Sequence, residues 1–439
     1  MFEAYKNQNI ELTSYGHCYQ QLIYSSFDNA KIKKNEFDKY LNVLTEIAWV
    51  IYQNKMGLDQ SGIRDFFINY EKHFLAIDEV EVLEKLTSHS ILTESNGELK
   101  FKYPYIYYFF VGKKIADSYI DSESVQNEVD NLLSKLHRED SANILIFITH
   151  HTKNAWVLKK IQGVLGHLFE EQEVASLTKT QLSFMGEFIN SIPELVLEKR
   201  EVQKEREQHN RNLDSVEQEE ALEQEGDFDG LDTLANINKT FKGMEIAGQI
   251  IRNRHANLTK NDLLDLADTG VSAGLRCLDF FIKISDVAKL EIVKFIEKKL
   301  ENHPSLTDKE LLGYAESAYL YMTYGVISGL VRKIASSIGS KDALAIYEQL
   351  EEVKQTPAFS LIKLSIELQH KRVLDVKSIE ATKQQLDSNP VCIRILKEMV
   401  IQHIYMFPVE YRTQQQLASL LGISVKGQQK MNRKLLGKG

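Results

Sequence analysis

Apolar residues recur every three or four positions along most of the chain, which is the spacing of helices that bury one face. Residues 1–40 contain one such pattern, with Tyr19, Leu22, Ile23 and Phe27 on a common face. The chain has only six prolines and is rich in Leu, Ile, Glu, Lys and Gln, which lose little side-chain freedom in a helix. The sequence therefore predicts a mainly all-α fold with a helical lead-in at its start.

Residues 41–121 begin with three successive helical patterns. The first covers Leu41–Gln53, and Asp59 and Asp78 precede the second and the third. An aspartate at the N-cap accepts hydrogen bonds from the free amides of the first helical turn. Both aspartates therefore predict helix starts.

A β-hairpin is predicted immediately after these helices. Asn96-Gly97 separates two short strand-like segments, and this dipeptide is the strongest sequence signal for a two-residue hairpin turn. Pro104 then stands where a proline favours the first turn of a helix, which Tyr105–Tyr119 continues. Three helices, a hairpin and a further helix are the element order of a winged-helix domain, which we predict for residues 41–121.

After residue 121 the chain consists of two helical segments separated by a highly charged one. Residues 122–197 return to helical periodicity, whereas about half of residues 198–230 are charged, and Asp214–Asp232 contains nine acidic residues and no basic one. Such a segment buries little apolar surface, so we predict that its acidic half is a linker, with a solvated helix as the alternative. Residues 231–439 predict an array of helices without a fixed repeat.

The C-terminus resembles a helix-turn-helix, with helices at Gln414–Leu421 and Val425–Leu436 and a turn at Gly422. No acidic residue follows Glu410, and a locally basic helix is typical of phosphate binding. The residues that would contact nucleic acid or a partner are Arg412, Lys426, Lys430, Arg433 and Lys434. We prefer the interpretation as a terminal helical cap or a partner-docking helix, because this pattern alone often occurs without nucleic-acid binding.

Charge and cysteine content narrow the classes of function. A net charge of −9 argues against broad, non-specific binding of nucleic acid, which requires a basic surface. Three widely separated cysteines provide neither a disulfide framework nor the spacing of a zinc site. The sequence has no secretory signal and no apolar run of membrane-spanning length. These features predict a cytoplasmic protein that does not contact a membrane.

Residues with catalytic potential do not form a convincing site. The phosphate-loop pattern G-x-x-x-x-G-K-[ST] is missing from the sequence, and the nearest segment, Gly57–Arg64, lacks both the lysine and the hydroxyl. His150-His151 are adjacent, so on a helix they diverge by about 100° and cannot readily bind one metal ion. Arg252-Asn253-Arg254-His255 resembles the motif of HEPN-class ribonucleases, although a solvated basic helix face is the preferred interpretation. We expect no cofactor, no metal and no enzymatic activity.

An aromatic cluster around Pro104 permits two interpretations. A base-stacking platform would need exposed rings beside basic residues, but Lys113 and Lys114 come only after the cluster. Core packing against the hairpin is therefore preferred. The cluster consists of Tyr103, Tyr105, Tyr107, Tyr108, Phe109 and Phe110.

Two motifs and the winged-helix pattern resemble the region that follows the nucleotide-binding core in STAND-type signalling ATPases. The motifs are Leu12-Thr-Ser-Tyr-Gly16 and Phe101-x-Tyr103-x-x-Ile106-x-Tyr108-Phe109. The family includes the NACHT-like regulators of bacterial defence and of animal and plant innate immunity. In that family a Phe-x-His motif often precedes the aromatic helix, and its histidine senses the bound nucleotide. Tyr103 occupies this place here, so the resemblance does not imply nucleotide sensing.

The resemblance implies a winged helix and a C-terminal sensor without the ATPase core, either as a separate protein or as a piece of a larger one. We expect a non-catalytic regulatory module that binds a protein partner or a pathogen-derived molecule, and self-association is left open. The alternative is a DNA-binding regulator that uses the C-terminal helix-turn-helix-like segment. The charge of the predicted third helix disfavours DNA contact by the winged helix. It has one basic residue, Lys85, and four acidic ones, Asp78, Glu79, Glu81 and Glu84. A HEPN-like helical ribonuclease is the weaker alternative.

Overall fold

The computed structural model describes residues 15–186, 195–198, 200–223, 232–300, 307–386 and 389–425. The chain divides into two compact units. Unit 1 is Met1–Ile161 with Arg252–Arg254, and unit 2 is Gln162–Ile251 with His255–Gly439. The described residues are mainly helical, which confirms the predicted fold class.

Unit 1 contains seven of the described helices and one β-hairpin, and an eighth helix begins in it. The elements in chain order are α1 (Tyr15–Asn29), α2 (Phe37–Asn54), α3 (Gln60–Tyr70), α4 (Glu79–Ser88), β1 (Leu92–Ser95), β2 (Glu98–Phe101), α5 (Pro104–Ser118), α6 (Glu123–Ser134), α7 (Glu139–His151) and α8 (Ala155–His167). Three helices, the hairpin and a further helix therefore follow one another as predicted.

The helix predicted at Leu41–Gln53 begins earlier, at Phe37. The reason is aromatic packing, because the Phe27 ring lies 5.2 Å from that of Phe37 and 5.9 Å from that of Tyr40. Tyr40 is fully buried. These contacts extend the apolar face of α2 beyond the first residue that periodicity alone indicates.

Both predicted N-caps are present in unit 1. The Asp59 carboxylate accepts a hydrogen bond of 2.7 Å from the amide of Gly62, at the start of α3. The Asp78 carboxylate accepts one of 3.0 Å from the amide of Glu81, at the start of α4. Each cap satisfies an amide that the helix itself leaves without a partner.

The predicted hairpin turn is also confirmed. Strands β1 and β2 are antiparallel and are joined by Asn96 and Gly97, whose φ angles of 54° and 76° are both positive, as a type I′ turn requires. Leu58 adds a short antiparallel pairing to β2, because its amide and carbonyl exchange hydrogen bonds with those of Leu99 at 3.0 and 2.7 Å. This pairing was not predicted, since a single residue carries no strand periodicity.

Helices α5 and α7 form the centre of unit 1. Phe109 and Phe110 of α5 and Phe147 of α7 are buried, and the rings of Phe109 and Phe147 lie 5.6 Å apart. Gly112 permits this close packing, because a Cβ atom there would lie 2.8 Å from Cβ of Phe147. Burying each phenylalanine stabilises the unit by about 1.5–3 kcal/mol.

Residues after α8 depart from the helical periodicity that the sequence indicates for residues 122–197. Residues 168–186 contain turns and a single 3₁₀ turn at Ser183–Met185, and Phe169 and Leu177 have positive φ angles. The guanidinium of Arg276 donates to the carbonyls of Leu165 and Leu168 at 2.6 and 3.0 Å, so it satisfies the end of α8. Residues 187–194 lie outside the described part of the chain.

Unit 2 contains the remaining elements, and α10 ends within the unit 1 residues. They are β3 (Val196–Leu197), α9 (Val202–Glu223), α10 (Asp232–Arg254), α11 (Lys260–Val287), α12 (Lys289–Leu300), α13 (Asp308–Ile338), α14 (Leu344–Lys354), α15 (Pro357–His370), α16 (Val376–Leu386), α17 (Pro390–Met406), α18 (Tyr411–Leu421) and β4 (Ser424–Val425). Most of these helices pack on helices near them in sequence, such as α12 on α13 and α16 on α17.

The charged segment forms a helix from Val202 to Glu223, which agrees with the alternative interpretation rather than with the preferred linker. Its first turns pack on the end of α17. The guanidinium of Arg206 donates to the carbonyl of Met406 at 2.6 Å and lies 5.1 Å from the ring of Phe407. These contacts order a sequence that has little apolar surface of its own. Residues 224–231 lie outside the described part.

The first helix and the turn of the predicted C-terminal helix-turn-helix agree with the structure. Helix α18 ends at Leu421, and Gly422 has the left-handed conformation, with φ of 60°. Val425, the predicted first residue of the second helix, instead lies in β4 and pairs with Leu197 of β3 in a parallel arrangement. The prediction was wrong there because the strand partner is distant in sequence. Residues 426–439 lie outside the described residues.

Two further expectations concern cysteines and membranes. Cys277 and Cys392 are buried as free thiols, and burial raises the pKa of each to about 12. Both thiols therefore stay protonated and unreactive in the folded chain.

Among the helices that the structure describes, none combines the length and the apolar character needed to cross a bilayer.

Candidate functional site

A groove of about 830 Å³ lies on unit 1, between the end of α2, the hairpin and helices α5, α6 and α7. We call it the aromatic groove. Its volume is in the range of sites that bind small molecules or peptide side chains. The groove arises because α5 packs on both α2 and α7, and α6 packs on α7.

Aromatic rings form the floor of the groove. The rings of Trp49 and Tyr52, one turn apart on α2, stack at 5.5 Å with planes 19° apart. Tyr107 and Tyr108 on α5 contribute two further half-buried rings, whose centroids are 5.6 Å apart. Phe101 of β2 supports this pair, with its ring 5.7 Å from that of Tyr107.

A short hydrogen bond fixes one side of the floor. The phenol of Tyr52 donates to Oε1 of Glu128 at 2.5 Å, and the side-chain amide of Asn131 donates to the same oxygen at 2.9 Å. Burial and the Glu128 carboxylate raise the pKa of Tyr52. Burial and the negative charges of Asp140 and Glu139 raise the pKa of Tyr108 to about 12. These phenols are therefore neutral donors at physiological pH.

Basic side chains surround the floor. Lys55, Lys100, Lys135 and Arg138 line the groove and are exposed. Nζ of Lys100 lies 2.7 Å from a carboxylate oxygen of Glu98. Nε of Arg138 lies 3.5 Å from a carboxylate oxygen of Asp140. Within the described part of the chain, Lys55 and Lys135 make no ion pair.

The aromatic cluster is divided between core and groove. Phe109 and Phe110 are buried, as the core interpretation predicts, whereas Tyr107 and Tyr108 line the groove. Tyr103 is about half exposed and lies under the Lys102 ammonium, 5.6 Å from the ring centroid. Tyr103 is therefore a surface residue rather than part of the core.

The basic C-terminal residues are only partly visible. Arg412 is exposed in the first turn of α18. The other four predicted contact residues, Lys426, Lys430, Arg433 and Lys434, lie outside the described residues. Their assignment stays a prediction.

The histidine pair lies at the end of α7, where His151 packs against α5. Its Nε2 lies 3.0 Å from the carbonyl of Phe109, and its ring is 4.4 Å from the Phe109 ring. Burial, together with His150 and Lys113, lowers the pKa of His151 to about 3. This histidine is a neutral packing residue.

The predicted solvated basic face at Arg252–His255 is also corrected in part. Arg254 is buried at the end of α10, and its guanidinium donates a hydrogen bond to the carbonyl of Lys153. Arg252 and His255 are half-buried. Arg254 therefore has a structural role within unit 1.

Sequence reasoning missed the aromatic groove. Trp49 and Tyr52 were assigned to an apolar helix, and Lys135 and Arg138 carried no motif. Tertiary packing brings these four residues together from segments that local periodicity treats separately. The sequence contains a weak signal for the groove. Trp49 and Tyr52 lie beside the apolar positions of α2, and each ring carries a polar group, which is typical of side chains at the edge of a core.

A comparison with known families finds one match. Residues 58–111 match the family model described as Novel STAND NTPase 4. The match covers α3, α4, the hairpin and the first half of α5, so this part of the chain is similar to a STAND family. No curated protein and no solved structure matches the chain.

Proposed function

We propose that this chain is a regulatory and sensor module of the STAND type that acts by binding a partner protein and does not hydrolyse nucleotide. The observation that carries the proposal is the match of residues 58–111 to the Novel STAND NTPase 4 family. These residues contain the hairpin and most of the helices on which the resemblance to STAND-type ATPases rests.

The hairpin region acts, in this proposal, as a winged helix with a regulatory role. Its element order and the added pairing of Leu58 with Leu99 support the winged-helix assignment. Glu79, Glu81 and Glu84 lie on the exposed side of α4, which would be the recognition helix of a DNA-binding winged helix. Carboxylates there repel phosphates, which favours a protein partner over DNA.

Two features of the sequence support the proposal that the chain does not hydrolyse nucleotide. The 439 residues contain no phosphate loop, whose backbone amides and lysine would hold the phosphates. Tyr103 stands where the resembling family has a nucleotide-sensing histidine, and a phenol does not supply the same charge. Regulation through partner binding therefore fits these residues better than an ATPase cycle.

The experiment that separates this proposal from a DNA-binding regulator measures DNA affinity by fluorescence anisotropy. The full chain is compared with a variant that carries Lys426→Glu, Lys430→Glu, Arg433→Glu and Lys434→Glu. A control variant reverses four exposed lysines of α12 and α13, by Lys294→Glu, Lys298→Glu, Lys299→Glu and Lys309→Glu, and so changes the net charge equally.

We expect weak binding without sequence preference, because the chain as a whole is acidic. Both variants should then lose this residual binding to a similar extent. Tight, sequence-selective binding that only the C-terminal reversals abolish would contradict the proposal and favour the DNA-binding regulator.

A further inference from the structure

We infer that the aromatic groove binds an extended, acidic segment of a partner protein. Proline or aromatic side chains of that segment would lie on the rings of Trp49, Tyr52, Tyr107 and Tyr108. Its carboxylates would pair with Lys55, Lys135 and Arg138. This inference rests on the proposed function, because it names the kind of partner that such a module takes.

The floor of the groove selects ring-bearing side chains. Four of the five aromatic rings that line the groove form two neighbouring pairs, with centroids 5.5 and 5.6 Å apart. Grooves lined by Trp and Tyr bind proline-containing and aromatic segments in extended conformation, because flat rings stack at little conformational cost. Tyr52 is already held by Glu128, so this part of the floor is ordered before binding.

The rim of the groove selects negative charge. Four basic side chains line it, against the carboxylates of Glu128 and Asp140. Glu128 already accepts two hydrogen bonds, and Asp140 lies beside Arg138. Lys55 and Lys135, which make no ion pair in the described structure, are therefore the basic groups most available to a partner.

The same residues disfavour single-stranded nucleic acid. Its phosphates are closely and evenly spaced, so a strand that stacks bases on Tyr52 would place phosphates near Glu128 and Asp140. A peptide avoids this repulsion, because neutral ring side chains lie over the floor and acidic ones are confined to the rim. Nucleic-acid grooves instead combine stacking with a continuous basic path.

The test uses Trp49 as a reporter in the full chain. The protein has two tryptophans, and Trp156 stacks on Tyr119 outside the groove. Trp156→Phe keeps an aromatic ring at that place and leaves Trp49 as the single source of tryptophan fluorescence. The probes are short synthetic peptides in which Asp and Glu flank Pro, Phe, Tyr or Trp, the same peptides with Lys as the flanking residue, and oligothymidylate.

Acidic peptides should change the Trp49 emission in a saturable manner, and the Lys-flanked peptides should not. Adding Lys135→Glu and Arg138→Glu should weaken binding about tenfold or more, since two attractive charges become repulsive. Lys159→Glu, an exposed lysine on α8 that does not line the groove, should leave the affinity unchanged. Far-ultraviolet circular dichroism confirms that each variant is folded.

A second measurement removes the dependence on tryptophan. Anisotropy of a labelled acidic peptide should show the same loss with Trp49→Leu, which removes half of one ring pair. The inference is overturned if no acidic peptide binds, or if Lys-flanked peptides bind as well. It is also overturned if oligothymidylate binds and loses affinity with Lys135→Glu and Arg138→Glu, since the groove would then be a nucleic-acid site. The first two outcomes leave the proposed function standing, because the nucleotide titration tests it without this groove. Binding of oligothymidylate in the groove would instead also count against a protein partner.

Discussion

The phenol of Tyr52 on α2 donates a hydrogen bond of 2.5 Å to the carboxylate of Glu128 on α6, across 76 residues of sequence. This bond joins two helices at the floor of the aromatic groove. Hydrogen bonds to a carboxylate are stronger than those between neutral groups.

The contribution of this bond can be measured by a double-mutant cycle of Tyr52→Phe and Glu128→Ala. We expect a coupling energy of about 1–2 kcal/mol between the two changes, because each alone already breaks the bond. The measurement is the free energy of unfolding of unit 1 in denaturant. A coupling energy near zero would show that the two side chains do not interact in solution.

The hairpin turn provides a second prediction. Asn96→Val together with Gly97→Val should open the hairpin, because both positions have positive φ and β-branched residues resist that conformation. Hydrogen exchange at the amides of Leu58 and Leu99, which bond to each other's carbonyls, should become faster in the full chain. Glu94→Val, at an exposed position of β1, is the matched control for adding a valine. Equal exchange in both variants would mean that the turn is not of this type.

Two glycines should respond in opposite ways to substitution by alanine. Gly112→Ala should destabilise unit 1 by about 1–3 kcal/mol, because the new methyl group would meet the α7 backbone near Ile148 at 3.0 Å. Gly325→Ala on α13 should stabilise unit 2 by about 0.5–1 kcal/mol, because no described atom lies within 4 Å of the added Cβ and alanine favours helix. Denaturant unfolding of each variant measures both effects. A stabilising Gly112→Ala would contradict the close packing of α5 on α7.

His151 predicts a pH dependence of stability. Its pKa is lowered to about 3 in the folded chain, so between about pH 6.5 and pH 3 the unfolded chain binds more protons. Stability should therefore fall as the pH drops below about 6.5, and His151→Gln should reduce this slope. His73→Gln, at an exposed position, is the control for removing an imidazole. Unfolding free energies at several pH values test the prediction, and an unchanged slope in His151→Gln would contradict it.

Local chemistry made part of this fold predictable. Asp59, Asp78 and the Asn96-Gly97 turn each act on residues within a few positions of themselves, and the structure has all three as predicted. Long-range packing was not predictable in the same way. Val425 became a strand residue because Leu197 pairs with it, and no periodicity in either segment indicates this.

The aromatic groove was unpredictable for the same reason. Tyr107 was assigned to core packing, and Tyr52 fell within the helix predicted at Leu41–Gln53 without a role of its own. The apolar pattern of one helix does not determine whether a ring at its edge is buried or lines a groove. Here the packing of α6 on α7 places Glu128 and Lys135 in the same groove as Tyr52 and Tyr107. At the edge of an apolar helix face, the sequence pattern therefore does not distinguish a core residue from a residue that lines a binding groove.

The proposal that the chain is a STAND-like regulatory module that does not use nucleotide can be tested by calorimetric titration of the full chain with ATP and Mg²⁺. Without a phosphate loop in the 439 residues, the phosphates have no cradle of backbone amides, and we predict no heat of binding up to millimolar ATP. Tyr103→His should not create binding either, because a sensing histidine acts only on a nucleotide that is already held. A dissociation constant in the micromolar range for the wild-type chain would contradict the account.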